Sequence, residues 1–342
     1  MAIQFNFVSS MLILLLLSIS SAVGQGGGGG GGVIDVVAKF GAKADEKTYS
    51  SKPLLDAWKE ACASTSPAKI VIPKWIYFLT TAYKREGCEK HDYCDSLPIN
   101  LRFDFLTNAM IQGCKNITFK HLTVSAPGES PNTDGIHIRR SDEVNVLNTE
   151  IKTGDDCVSI GDGSKNLVMN GVTCGPGHGI NIGSLGLFKN EELVDGVTVK
   201  NCTLTNTSNG VRIKSWPGAE PNTCSNIHFE NITVTNVSSP IIIDQKYCPW
   251  NKCKINVCTY LSKSNISFKN IHDTSALPEA VKIICSSTLP CVKVELANIE
   301  ITHSGPTGPV VSQCSNVKPK ISDKQNPAAC FALIVAKPTL IA

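Results

Sequence analysis

The sequence predicts an all-β chain wound into a parallel β-helix, and three observations carry that expectation. A short pattern, apolar-x-apolar-x-Asn-apolar, recurs as VTVKNC (197–202), IHFENI (227–232), ISFKNI (266–271) and VELANI (294–299). Weaker copies are ITFKHL (117–122), VNVLNT (144–149) and LVMNGV (167–172), the last slipped by one residue. Within each copy the apolar and polar residues alternate, which marks a strand with one buried face. The copies return every 23–39 residues or so, the spacing of an architecture whose units each bury a face against the next. A helical repeat is excluded, because the segments are short, β-branched and separated by Gly, Asn and Asp.

The elements follow in chain order. MLILLLLS (11–18) is an apolar run of signal-peptide length, too short to span a bilayer, and Ala22-Val23-Gly24 supplies a small-x-small cleavage site. Residues 1–24 therefore read as a signal peptide. Seven glycines at 26–32 cannot pack, so 25–32 reads as a flexible leader and 33–342 as one folded domain. SKPLLDAWKEACAS (51–64) places Leu54, Leu55, Trp58 and Ala61 at helical spacing, with Ser50 or Ser51 as its cap. It is the one convincing helix, suited to closing the open end of the solenoid. The recurring Asn148, Asn201, Asn231, Asn270 and Asn298 are expected to stack in a buried, hydrogen-bonded ladder at one turn.

Composition narrows the function. The 342 residues carry a net charge of +3 with 18% charged residues and no Lys/Arg-rich run, which argues against a nucleic-acid partner. No later stretch suits a membrane helix. Fifteen cysteines behind a signal peptide imply an oxidising compartment and several disulfides, with one thiol left over by the odd count. Six N-x-S/T sequons, at Asn116, Asn201, Asn206, Asn231, Asn236 and Asn265, fit secretion. If the ladder buries Asn201 and Asn231, glycans are expected at Asn116, Asn206, Asn236 or Asn265 instead.

Four polar motifs interrupt the repeat: NTDGIH (132–137), TGDDC (153–157), GPGHGI (175–180) and NGVRIK (209–214). Asp134 to Asp156 is 22 residues, and Asp156 to His178 is 22 again. In a solenoid of that coil length the three stand one above another. Arg212 lies 34 residues beyond His178, which suits one coil plus a loop drawn from GSLGLFKNEELVDG (183–196). Asp155 and Asp156 sit side by side in what reads as a strand. Both face one groove if the backbone bulges at Gly154. Three carboxylates, an imidazole, a guanidinium and an ammonium would then line that groove. An acid carboxyl and a base carboxylate with a water between them are the parts of inverting glycoside hydrolysis. Arg212 and Lys214 suit an anionic sugar polymer better than a neutral one. No metal is expected: the Asp-x-Asp-x-Asp loop of calcium sites is absent, and the cysteines are spread along the chain rather than clustered with histidines.

With these motifs in hand, the sequence resembles the polygalacturonases, which cut the α-1,4 bonds of pectin's galacturonan. NTDGIHI, GDDCVSIGDGS, CGPGHGINIGSLG and GVRIKSWPG are similar to that family's four signatures, in its order. SLPINLRFDFLTNA (96–109) and the C-terminal half resemble plant exo-acting members. The resemblance implies a right-handed β-helix and single-displacement hydrolysis with inversion. It implies Asp155 as general acid, Asp134 and Asp156 holding and deprotonating the attacking water, and His178 tuning protons beside the acid. Arg212 and Lys214 would bind the galacturonate carboxylate, with Tyr247 in DQKYCP and Asn132 lining the same binding site. It also implies disulfides Cys157–Cys174, Cys285–Cys291 and Cys314–Cys330, no cofactor, a monomer, and secretion to the cell wall with pectin as partner. The chain departs from the family around 74–84 and 111–113, where it is shorter, and Cys62 is expected to lack its partner. A catalytically inactive, shortened homologue that binds pectin or serves as a wall protein is the alternative. A pectate lyase on the same fold would leave GDD and GHG unexplained.

Overall fold

The computed structural model describes residues 33–330 apart from 44, 46, 64–68, 72–75, 80–82, 85–98, 104–108, 250–252, 254–260 and 307. The signal segment, the glycine leader and the Cys62 side chain lie outside the described residues. Alternating apolar residues build what the pattern predicts: parallel strands in a thirteen-stranded and a nine-stranded sheet, with a separate two-stranded pair, Val33–Asp35 and Lys69–Val71. Each complete coil adds to both large sheets. No helix among the described residues is long and apolar enough to cross a membrane.

Register makes the core. On the thirteen-stranded sheet Ile117, Val144, Leu167, Val197, Ile227, Ile266 and Val294 stand in one buried column. Beside it Phe229 and Phe268 stack with ring centroids 5.0 Å apart. On the nine-stranded sheet Ile111, Ile138, Ile160, Ile182, Ile213, Ile243 and Ile283 form a second buried column. Fully burying one such side chain contributes about 1.5–3 kcal/mol, and every coil repeats the gain.

The asparagine ladder forms with four of its expected members, but with Asn170 in place of Asn148 and at the surface. Asn201 donates to Asn170 at 2.8 Å, Asn231 to Asn201 at 3.1 Å, Asn270 to Asn231 at 2.9 Å and Asn298 to Asn270 at 3.0 Å. Asn201, Asn231 and Asn270 are exposed, and all four donors have φ near +54°. The physical reason is the corner: the backbone turns left-handed there, a conformation asparagine tolerates. Asn148 is also left-handed, with φ +47°, but the next coil places Gly171 over it, so the ladder begins at Asn170. Asn236 bonds Asn206 at 2.8 Å and Asn265 bonds Asn226 at 2.6 Å. Ladder membership therefore does not separate the sequons.

The helix forms as Ser51–Ala63, with Leu54, Ala57, Trp58 and Ala61 in the same core as the coils. Ser50 occupies the cap position, its carbonyl accepting from Leu54 N, but its hydroxyl is bonded to the Lys43 backbone. A second short helix, Val36–Phe40, is capped by Asp35, whose carboxylate accepts from Val37 N and Ala38 N. Its five residues are too few to show helical periodicity in sequence.

Disulfides join Cys157–Cys174, Cys285–Cys291 and Cys314–Cys330, and a fourth, unforeseen, joins Cys248–Cys253. Cys202 and Cys224 are buried thiols outside any disulfide, so the odd count understates the unpaired cysteines. The strand Ala109–Gln112 pairs in register with Tyr83–Lys84 before it and Ile136–Arg139 after it. Around 111–113 the coils thus follow one another without a break in register.

Candidate active site

The site is built on the outer face of the nine-stranded sheet. Ile136, Val158 and Ile180 stack in register, so the residues two positions earlier, Asp134, Asp156 and His178, fall in successive coils as the 22-residue spacing predicts. The next coil is longer: Ile180 pairs with Val211, and the loop 186–193 takes up the difference. That pairing brings Arg212 beside Asn181.

Asp155 and Asp156 do not lie in a strand. They occupy a bend between Glu150–Lys152 and Val158–Ile160. The bend, not a bulge, places one carboxylate at the mouth and the other beneath it. Gly154 makes the bend possible, because a Cβ there would collide with the Ser130 backbone carbonyl of the preceding coil. The Cys157–Cys174 disulfide closes the same coil behind the pair.

Asp155, with 21% of its side chain exposed, bonds His178 Nδ1 at 2.7 Å. Burial pushes the Asp155 carboxyl up. The hydrogen bond and charge of His178, with Lys214, outweigh that and hold it below the usual carboxylate range. The same bond raises His178 against its own burial. Asp156 is almost wholly buried and is held from three directions. Lys214 Nζ lies 3.2 Å from Oδ2, Arg212 Nη2 lies 3.6 Å from Oδ1, and Asn181 Nδ2 donates to Oδ1. Burial raises the Asp156 carboxyl to about 6, with Lys214 opposing and Asp134 adding to the rise. Asp134 pairs with His137 Nδ1 at 3.2 Å.

Tyr247 packs against both cations, its ring centroid 5.8 Å from the Arg212 guanidinium carbon and 5.2 Å from Lys214 Nζ. Trp216 meets that ring edge-on at 5.7 Å. The structure thus brings Asp134, Asp155, Asp156, His178, Arg212, Lys214 and Tyr247 together. Asn132 is exposed in the turn ahead of Ile136–Arg139, with φ +51°. Among the described residues it makes none of the contacts that tie the others together.

Asn181 and His137 were not singled out from sequence. Asn181 is fully buried, accepts from Arg212 Nε at 2.5 Å and donates to the His178 carbonyl at 3.0 Å. A signal existed: each residue follows a motif residue by three, His137 after Asp134 and Asn181 after His178, on the outward alternation of its strand. Asp155, Asp156 and His178 present ligand atoms within 4.8 Å of one another. The Lys214 and Arg212 charges already occupy the Asp156 carboxylate, so this donor set fits a cation poorly.

The comparisons agree with this geometry. Residues 81–330 match the model of glycosyl hydrolases family 28. The chain belongs to that family. This family 28 member is 50% identical over 379 aligned positions to a polygalacturonase of Gossypium hirsutum, covering 90% of this chain and 93% of the relative. It is 44% identical over 353 positions to an exopolygalacturonase of Oenothera organensis, covering 82% and 98%. In fold it is similar to endo-xylogalacturonan hydrolase from Aspergillus tubingensis, with a TM-score of 0.60, 16% identity, and 84% and 99% of the two chains covered. The fold is the right-handed parallel β-helix, and the chain is a glycoside hydrolase of the pectin-degrading class.

Proposed function

We propose that this family 28 member is a secreted, exo-acting polygalacturonase that hydrolyses α-1,4-galacturonosyl bonds by inversion in the cell wall, as a monomer. The observation that carries the reading is the convergence of three aspartates from two successive coils on a groove held by Arg212 and Lys214. Asp155 sits at the mouth against His178, whose raised pKa keeps the proton of the pair on the imidazole; that proton passes from His178 to the Asp155 carboxylate and on to the glycosidic oxygen as the bond from C1 breaks. A water held by Asp134 and Asp156 gives up a proton to them and bonds C1 from the opposite face. Burial of Asp156 supports the basic role, since a carboxyl raised to about 6 accepts a proton more readily than an ordinary aspartate. Arg212 and Lys214, packed on Tyr247, supply the positive charge that a galacturonate carboxylate needs. Asn132 binds substrate at the groove edge. The exo-acting name of the Oenothera organensis relative supports exo action. The apolar segment 11–18, the disulfides and the sequons support secretion.

One observation favours a second reading, a shortened homologue that binds pectin without cutting it. The alignment to the Gossypium hirsutum relative spans 379 positions, more than the 342 residues of this chain, so that relative carries segments absent here. The test is incubation of the disulfide-intact protein with polygalacturonate, with product sizes followed over time. Monogalacturonate from the first time point is the expected result, abolished in Asp156→Asn. Mixed oligomers refute exo action, and no product from folded protein establishes the second reading.

A further inference from the structure

The outer face of the nine-stranded sheet extends toward the N-terminal coils beyond the residues that the reaction above uses. His137, Ser159, Asn181 and Arg212 pair in register. Two residues further along the chain come Arg139, Gly161, Gly183 and Lys214, Gly161 lying just past the end of the strand Val158–Ile160. The Ile138, Ile160, Ile182 and Ile213 pairs stand immediately before them, although the register between the last two strands shifts after Ile182. Contacts agree: a Cβ on Gly161 would lie 3.0 Å from Arg139 Cβ, and one on Gly183 would strike the Lys214 carbonyl. Two successive coils therefore present no side chain here, and a cation stands at each end. With strands about 4.8 Å apart, Arg139 and Lys214 are about 14 Å apart along the solenoid axis. That is room for more than one sugar ring over the glycine floor.

Arg139 is suited to meet an anion. Its side chain is 29% exposed, and Nη2 donates to Asp162 Oδ1 at 3.0 Å. Arg140 Nε donates to the other oxygen of the same carboxylate at 3.1 Å. Two guanidiniums share one carboxylate, so the trio keeps a net positive charge. Arg139 Nε is buried without a hydrogen-bond partner among the described residues.

We propose that Arg139 is a substrate-binding residue: it takes the carboxylate of a uronate unit lying on the Gly161–Gly183 floor, toward the N-terminal coils, while Arg212 and Lys214 hold the unit toward the C-terminal coils. This rests on the galacturonan reading above. It gives the groove charge contacts at both ends of the reacting pair of sugars, so that removing the charge by methyl esterification weakens binding on both sides of the cut. Lys214 belongs to the site already described; Arg139 is the addition.

The test is a calorimetric titration with trigalacturonate and with its fully methyl-esterified form, in an Asp155→Asn background so that the ligand stays intact. Arg139→Gln is expected to weaken trigalacturonate binding about tenfold or more, the worth of a charge-assisted hydrogen bond, and to leave the esterified ligand unaffected. Arg139→Lys, which keeps the charge, is expected to recover most of the loss. Equal affinity of Arg139→Gln and its parent for trigalacturonate overturns the assignment. So does an equal loss for both ligands, which marks a structural role through Asp162. If Arg139→Gln does not fold, Arg139→Met carries the test by the same criterion: discrimination between the two ligands that falls supports the assignment, and discrimination that stays unchanged overturns it. An Arg139-dependent affinity in a protein that releases no product from polygalacturonate refutes the hydrolase and keeps the subsite.

Discussion

Replacing Lys214 with Met is the most direct probe of how the site is tuned. Lys214 is 8% exposed and its ammonium lies 3.2 Å from an Asp156 carboxylate that is 4% exposed, so neither charge is well screened. Asp156 rests at about 6 because burial raises it and Lys214 pulls it back. An opposite charge at this range depresses a carboxyl by about one to three units. Arg212 and Asn181 stay in place in the variant, so about two units of further rise are expected, or about 3 kcal/mol. If Asp156 must be ionised to take a proton from water, the acidic limb of kcat/KM moves from near 6 to about 8. Stability has its own sign. The folded pKa of Asp156 lies above its ordinary value of 3.8. The stability this group contributes is therefore present below 3.8 and lost as pH climbs through about 6. Below that pH the carboxyl is protonated and gains little from Lys214, so Lys214→Met costs least stability there and most in alkali. The assays are the pH dependence of kcat/KM on polygalacturonate and denaturant unfolding at two pH values. An acidic limb that stays put while kcat falls would refute the reasoning, because Lys214 would then act on substrate alone.

Other expectations are simpler. Asp155→Asn removes the bond that raises His178, so its imidazole pKa, read by NMR titration, should fall; an unchanged value refutes the pairing. In the parent that pair stabilises the fold within a window. The Asp155 part is lost as pH falls below the ordinary carboxylate range, and the His178 part as pH rises through its raised value. Gly154→Ala should cost about 1–3 kcal/mol in unfolding experiments and most of the activity, since backbone rather than a side chain tip blocks the new methyl. Replacing Cys157 and Cys174 with Ser opens a loop of 17 residues and should cost about 3 kcal/mol by denaturant unfolding. In the exposed ladder, Asn231→Ala should cost about 1–2 kcal/mol, while Asn231→Gly, free to hold φ +53°, should recover part of it in a melting assay.

How far the site was legible follows from the kind of signal each residue leaves. Asp134, Asp156 and His178 could be placed together because a solenoid turns sequence distance into height, and 22 residues is one coil. Arg212 needed one further guess, that a polar loop lengthens the next coil. Asn181 was missed although it makes three hydrogen bonds in the site, because a single asparagine in GINIG looks like surface alternation until Arg212 and Asp156 close over it. The asparagine ladder was expected from recurrence, yet its burial was wrong, because recurrence reports position in a coil and not which side of the wall the side chain faces.

The sequence alone determined the parallel β-helix, its stacked strands and the grouping of the acidic motifs, since these depend on periodicity, and each coil contacts only its neighbours. Tertiary structure decided what periodicity does not encode. The bend at Gly154 sets Asp155 at the mouth and buries Asp156, because the neighbouring backbone leaves no room for a Cβ. The Lys214, Arg212 and Asn181 contacts then set the charge on Asp156, because a carboxylate's ionisation depends on burial and partners in space. The bare floor between Arg139 and Lys214 exists only once glycines from separate motifs come into register.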